Sequence, residues 1–213
     1  MIKTISGFAF CLALLPTFIF AQGKDKSSDE NAYGEGKIII SAGYGVPNLG
    51  KNVLKVFKSN TDYFDYGVTG IGPLHFKAEY GITDKISGGL SFNYVSCSAS
   101  WKRNEDYSSG KITYTDKMIY QGLAINGRIN LHFATTDKLD AYWGIGAGYG
   151  SAVFKFTSDD PDFKNEQLKL PNISHMGFET TFGVRYYFTP NIGMYGEFGY
   201  AKSLVQGGLV VKF

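Results

Sequence analysis

The chain of 213 residues has only two cysteines, Cys11 and Cys97, and six prolines. Cys11 lies in a segment expected to be removed, which leaves Cys97 alone in the mature chain. A disulfide framework and a cysteine-rich metal site are therefore excluded. Charge of one sign is lacking too: Lys and Arg number 21 against 19 Asp and Glu, a formal net charge of +2. Nucleic acid is not an expected partner, because it calls for a basic surplus or patch. After the first 21 residues no apolar run approaches the ~18 residues of a membrane-spanning helix, and mean hydropathy is slightly negative. A helical membrane protein is excluded. What is abundant is glycine, 27 residues, together with 15 Tyr and 17 Phe.

The first 21 residues read as a secretory signal peptide. Lys3 supplies positive charge, Ile5 to Phe20 an apolar run, and Ala21 a small residue for cleavage before polar Gln22-Gly23-Lys24. Cys11 does not serve as a lipid attachment point, since Phe8-Ala9-Phe10 is not a lipobox. Residues 22–36 are polar and Gly-rich and are expected to form a flexible periplasmic leader.

From Lys37 onward the hydrophobic period is two, the signature of β-strands. Eight alternating stretches follow one another. Ile38, Ile40, Ala42 and Tyr44 share one face of the first; Leu74, Phe76, Ala78 and Tyr80 share one face of the second. Ile86, Leu90, Phe92 and Tyr94 mark the third, and Ile119 to Phe133 the fourth. Leu139, Trp143, Ile145 and Tyr149 mark the fifth, Phe178, Phe182, Val184 and Tyr186 the sixth, and Met194, Phe198 and Tyr200 the seventh. The eighth is Gln206–Phe213. Connections alternate in length. Asp84-Lys85, Thr135 to Lys138 and Pro190-Asn191 are short; Val46 to Gly72, Lys102 to Lys111 and Ser158 to Ser174 are long, and only the last, near Lys202-Ser203, breaks the rule. One eight-stranded antiparallel up-and-down β-barrel over 37–213 is the fold class that accommodates all of this.

The faces decide what the barrel is built for. A soluble barrel of this size would put its apolar face around a ligand. Here the apolar face carries Ile, Leu, Phe, Tyr and Trp, too bulky for an eight-stranded interior, which has room only for interdigitating side chains. The Gly-rich polar face fits inside, so the apolar face meets lipid. By parity the interior receives Lys77, Glu79, Arg128, Asp140, Glu179, Arg185 and Glu197. Buried charges of mixed sign are expected to pair. A three-residue turn at Pro190 to Ile192 would set Arg185 opposite Glu197, and a tight turn after strand four would set Arg128 opposite Gly144. Aromatics gather at the strand ends: Phe133, Trp143, Tyr186, Phe188 and Phe213 near short turns, Tyr44, Tyr94 and Tyr149 toward the loops. These resemble the two girdles of membrane barrels.

The last eight residues resemble the terminal insertion signal of bacterial outer-membrane β-barrels, a polar residue, Gly, an apolar residue and a final aromatic at fixed spacing. Gln206, Gly208, Val211 and Phe213 fill those positions. With this signal, the strand pattern and the signal peptide, almost the whole mature chain is similar to the small outer-membrane β-barrel superfamily, the OmpA-transmembrane, OmpX and OmpW-like group. Gly72 to Gly81 and Glu197-Phe198-Gly199-Tyr200 look like runs in members from Bacteroidetes-type bacteria. The resemblance implies an outer-membrane location, the barrel-assembly machinery and outer-membrane lipid or lipopolysaccharide as partners, and a monomer. It leaves function between a structural or surface-interaction role with a filled interior and a narrow, porin-like pore for ions or small solutes, or lateral passage of apolar compounds.

Catalysis is not expected, and neither a cofactor nor a metal is assigned. A lipid-facing hydrolase needs a nucleophile and base within reach on the outer wall. The outward polar residues are chiefly Gln121, Ser151 and Thr180, whereas His75, His132 and His175 fall inward by parity, with Ser174 and His175 on opposite faces. Asp159, Asp160 and Asp162 lack the spaced oxygen ligands of a calcium loop and read as a solvated tip. In the first loop Leu49, Val53 and Phe57 recur at helical spacing, with Lys51, Lys55 and Lys58 on other faces. That stretch is read as a loop folded back on the rim, or as a short helix capping the mouth or lying on an anionic surface.

Overall fold

A computed structural model describes residues 31–57, 64–107, 110–162, 166–169 and 175–213. Among the described residues, period-two alternation is realised as nine strands: β1 (Ile38–Val46), β2 (Phe64–Gly81), β3 (Ile86–Tyr107), β4 (Gly110–Thr135), β5 (Leu139–Ser158), β6 (Glu166–Lys169), β7 (Met176–Tyr187), β8 (Ile192–Tyr200) and β9 (Val205–Lys212), with one helix, α1 (Leu49–Phe57), between β1 and β2. Eight of the strands form a closed antiparallel ring in the order β1-β2-β3-β4-β5-β7-β8-β9, with β9 returning to β1. The fold is thus an eight-stranded up-and-down β-barrel. β6 stands outside the ring, paired only with Val153–Phe156 of β5; it falls in a segment that the sequence reads as loop.

The short connections share one chemistry. Thr83, Thr136 and Thr189 each begin a turn, and the threonine hydroxyl accepts from the backbone N–H three residues on, Ile86, Leu139 and Ile192, at 3.0, 3.1 and 2.9 Å. A hydroxyl that satisfies a turn amide is a local reason for the chain to reverse there. The strands themselves are unequal. β1, β8 and β9 have 9, 9 and 8 residues, close to the ~9–11 that cross a bilayer. β2, β3, β4 and β5 have 18, 22, 26 and 20. Their surplus rises beyond the ring on the long-connection side as an open sheet. The expected loops at Val46 to Gly72 and Lys102 to Lys111 are largely α1 and these strand extensions.

The outer wall carries an apolar belt, to which every ring strand contributes. Ile40, Phe76, Leu90, Ile129, Ile145, Phe182, Met194 and Leu209 are 37–61% exposed. In water such a continuous belt would be a large unfavourable surface.

Register differs from the sequence reading in two places. The turn after β7 comprises Thr189–Asn191 and closes on Phe188 and Ile192, so Arg185 pairs with Tyr195, and Glu197 with Gly183. A bulge between His132 and Ala134 puts Arg128 opposite Gly146, and Asn130 opposite Gly144. Each shift preserves parity, so every side chain keeps its face. The glycines remain essential to the filling: a Cβ on Gly144 would run into the Arg128 guanidinium, and one on Gly183 into the Tyr142 ring.

Candidate functional site: a sealed lumen

The interior is built in three levels. At the centre the seven charged residues assigned by parity all lie in the lumen, 0–4% exposed. Arg128 on β4 reaches Glu179 on β7 and Glu197 on β8, each at 3.1 Å. It also donates to Thr181 Oγ1 at 2.8 Å and to Asn130 Oδ1 at 2.7 Å. Lys77 on β2 meets the other oxygen of Glu197 at 2.6 Å. That carboxylate further accepts from the Tyr142 hydroxyl at 2.7 Å and from the Gln206 amide at 2.8 Å. Arg185 on β7 pairs with Glu79 on β2 and, at 3.1 Å, with Asp140 on β5. Its guanidinium lies 4.1 Å from the Tyr142 ring centroid.

Arg128–Glu179, Arg128–Glu197, Lys77–Glu197, Tyr142–Glu197 and Arg185–Glu79 cross the lumen and join strands that are not neighbours in the sheet, whereas Arg185–Asp140 and Gln206–Glu197 link paired residues of adjacent strands. Removing one partner would strand a buried charge, at a cost of about 3–5 kcal/mol. The expected Arg185–Glu197 pair is replaced: register sends Arg185 to Glu79 and Asp140, while Glu197 takes Lys77 and Arg128.

The short-turn end is closed by a segment that the sequence reads as flexible. Residues 1–30, with the expected signal peptide and most of the leader, lie outside the described residues, but Ala32 and Tyr33 are buried in the mouth. Ala32 N–H donates to Thr136 O at 2.8 Å, and the Tyr33 hydroxyl to Thr83 O at 2.7 Å. Lys37 and Lys212 both donate to Asn31 O, at 2.6 and 2.7 Å. The Tyr33 ring stacks on His132, whose Nδ1 meets Asp140 at 2.8 Å and whose Nε2 meets Ser87 at 3.1 Å. A lone aromatic in a polar leader carries no periodic signal, so nothing in the pattern marked it.

The long-connection end is closed by α1. Asn48 caps the helix by accepting from Lys51 N–H at 2.9 Å and ties it to β2 by donating to Gly72 O at 2.9 Å. Leu54, 1% exposed, packs with Cys97, Ala99 and Trp101 on the inner face of β3. Tyr66 and Phe156 flank Trp101 with ring centroids 5.9 and 5.7 Å away. Helical spacing therefore yields a helix that caps the mouth. Lys58 and the side chains of Leu49, Val53 and Phe57 lie outside the described residues.

Higher up, Arg103 gathers Glu105, Asp116 at 2.9 Å and Asp160 at 2.6 Å. Asp160 also accepts from Asp162 N–H, and Asp159 from Thr115 N–H. The acidic tip is thereby tied to β3 and β4. The Asp162 amide and then Arg103 hold the Asp160 carboxyl below its ordinary range, and Asp160 in turn raises Arg103.

The three histidines need one correction. His75 and His132 face the lumen, but His175 precedes β7 in an exposed turn, 5.9 Å from the outward Tyr149 ring. Inside, His75 makes an arrangement that the outer-wall search did not reach. Its Nε2 lies 3.1 Å from Ser203 Oγ and its Nδ1 2.6 Å from Asn93 Oδ1. The order is that of a nucleophile, a base and an orienting group. All three residues are buried, and Asn93 goes on to donate to Glu179 at 3.0 Å. An acyl carbonyl could not approach Ser203 without displacing the turn that carries it. Chemically, the arrangement is an extension of the lumen network.

Gln206, Gly208 and Val211 lie in β9, and Phe213 directly follows it. Gln206 points inward onto Glu197, Gly208 pairs with Gly43 of β1 and Tyr195 of β8, and Val211 and Phe213 face outward.

No family model and no curated protein matches this chain. Among solved structures it is similar to Ail, the attachment invasion locus protein of Yersinia pestis, crystallised with the heparin analogue sucrose octasulfate. The identity is 16%, covering 84% of this chain and 99% of that one, with a TM-score of 0.39. The N-terminal β-barrel domain of Pseudomonas aeruginosa OprF is similar at 16% identity, covering 85% and 98%, with a TM-score of 0.31.

Proposed function

We propose that this chain is a sealed, non-conducting β-barrel of the bacterial outer membrane, with a structural or surface-interaction role exercised by the sheet that rises above it. The observation that carries the reading is the buried pairing of Arg128 with Glu179 and Glu197 across the lumen. A pore would keep its charges around water; here they are spent on one another. The apolar belt supports a bilayer setting, and the aromatic residues at both of its edges support the depth at which the barrel sits. Export by a cleaved segment 1–21 and insertion by the barrel-assembly machinery through Gln206, Gly208, Val211 and Phe213 complete the proposal, with the barrel acting as a monomer. No chemistry is assigned to it, because among the described residues the serine–histidine pairs, Ser203 with His75 and Ser87 with His132, are both enclosed.

Planar-bilayer recording tests the reading. The refolded barrel is expected to give no single-channel steps. Stable steps that change in Arg128→Ala would establish the pore instead.

A further inference from the structure

Seven of the eight strand pairs in the ring are joined by a connection of the chain; the eighth, β1 with β9, joins its first strand to its last. This seam has the greatest sequence separation of any pair, and so the largest loop-closure cost. At the short-turn rim it ends on Ile38 and Phe213, which exchange backbone hydrogen bonds of 3.1 and 2.9 Å. Residues 31–36 cross the mouth at this rim. Asn31 O accepts from Lys37, the residue before β1, and from Lys212, the last of β9, and so bridges the two sides of the seam.

The same few residues reach the rest of the ring. Ala32 N–H and the Tyr33 hydroxyl bind the β4–β5 and β2–β3 turns through Thr136 O and Thr83 O, and Glu35 N–H donates to Asp84 Oδ1 at 3.2 Å. Ala32 and Tyr33 also pack with Ile39, Tyr187, Tyr195 and Val210, inward residues of β1, β7, β8 and β9. Gly36, at φ +80°, turns the chain out of the mouth into β1 and donates to Gly81 O at 2.8 Å. Gly81 leaves room for the crossing: a Cβ there would run into Gly34 O, and the next nearest atoms belong to Gly34 and Glu35. The partners of the segment extend from Gly81 to Lys212, so its seat is complete only when β9 has paired with β1.

We propose that residues 31–36 are a latch, which docks after the ring has closed and sets how long the closed barrel persists rather than how fast it forms. Contacts made only after closure are absent from the transition state for closing the ring, so they slow unfolding and leave the folding rate alone. Unfolding then begins with release of the latch, and opening of the β1–β9 seam follows. The device holds whether or not the lumen conducts.

The test is a pair of rates measured on the refolded barrel in short-chain phosphatidylcholine vesicles. Folding is followed as the gain of the folded band on an unheated gel, and unfolding as its loss after a jump into urea. Tyr33→Ala strips the latch of its ring, whereas Gly81→Ala keeps the latch sequence and fills its seat. Unfolding is expected to accelerate roughly a hundredfold in the first and roughly tenfold in the second. Folding rates are expected to stay within about threefold of wild type, since the latch forms after the barrier. Gly196→Ala, on the outer wall, is expected to leave both rates unchanged. Slower folding with unchanged unfolding, or unchanged rates in both latch variants, overturns the proposal. Failure of both variants to reach the folded band overturns it too, because the segment would then be needed to form the ring.

Discussion

The ring of Tyr33 lies flat on that of His132, with centroids 3.4 Å apart and planes 3° from parallel. A residue outside the barrel's strands thus closes the short-turn mouth, and His132 is held from its other side by Asp140 and Ser87. Replacing Tyr33 with Ala removes the stack and the bond to Thr83 and opens a void against a polar network. The expected cost is about 3–5 kcal/mol, read as a lower urea midpoint for loss of the folded band on an unheated gel. Tyr33→Phe keeps the stack and should cost only about 1 kcal/mol.

Arg128, like Arg185, is a node of the central level, because each faces two carboxylates at once. Arg128→Ala leaves Glu179 and Glu197 in the lumen without their shared partner, and a loss of about 3–5 kcal/mol is expected. Adding Glu179→Gln to Arg128→Ala should recover part of that loss, since one stranded charge disappears. Equilibrium unfolding of the single and double variants gives the coupling directly. Strict additivity would mean that the two side chains do not share an interaction.

The glycines opposite large inner residues make a steric prediction. Gly183→Ala places a Cβ in the Tyr142 ring, and Tyr142 is pinned by Glu197 and by the Arg185 guanidinium. Overpacking of this kind costs about 1–3 kcal/mol. Gly196, on the outer wall with nothing near its Cβ position, should accept Ala at little or no cost in the same assay.

Much of the ring was legible because one rule holds on every ring strand: apolar out, small or polar in. That rule assigns Lys77, Glu79, Arg128, Asp140, Glu179, Arg185 and Glu197 to the lumen without any knowledge of register. Partners are a different matter. Parity is unchanged by a shift of two, so the alternation could not choose between Glu197 and Tyr195 as the neighbour of Arg185. The sequence shows strands three to six longer than the ~9–11 residues of a bilayer crossing, and so a protruding sheet, but the tips of β3 and β4 over 102–111, read as a loop, were illegible for a related reason. Above the apolar belt the tips lose the contrast between faces, and Asn104, Glu105, Thr113 and Thr115 show no alternation to read. Ser203 sits in a four-residue connection with no period at all, and only the folded chain reveals that it reaches His75.

Enclosure predicts that Ser203 is chemically silent. A fluorophosphonate probe should label wild type no more than Ser203→Ala, in detergent and in lipid alike. Labelling specific to Ser203 would mean that the turn from Ala201 to Leu204 opens, and would reopen the question of acyl chemistry. Ser203→Ala should in addition cost about 1 kcal/mol of stability, the usual worth of one buried hydrogen bond.

The rising sheet should respond to acid before the barrel does. Asp160 is held below its ordinary value by the Asp162 amide and by Arg103, and Asp65 by its hydrogen bond to Lys102. A depressed folded-state value means that the unfolded segment takes up the proton more readily. The stabilisation is therefore complete above the ordinary carboxylate range and is lost as pH falls through the lower, folded-state values. Hydrogen exchange at the amide of Asp162 should stay slow at pH 6 and pH 5 and accelerate only below about pH 4. Both carboxylates sit at the solvent boundary, so the change should be modest and should shrink in high salt. Asp160→Asn should remove the acid dependence at Asp162 and raise exchange there at neutral pH, while amides of β7 and β8 in the ring remain protected throughout.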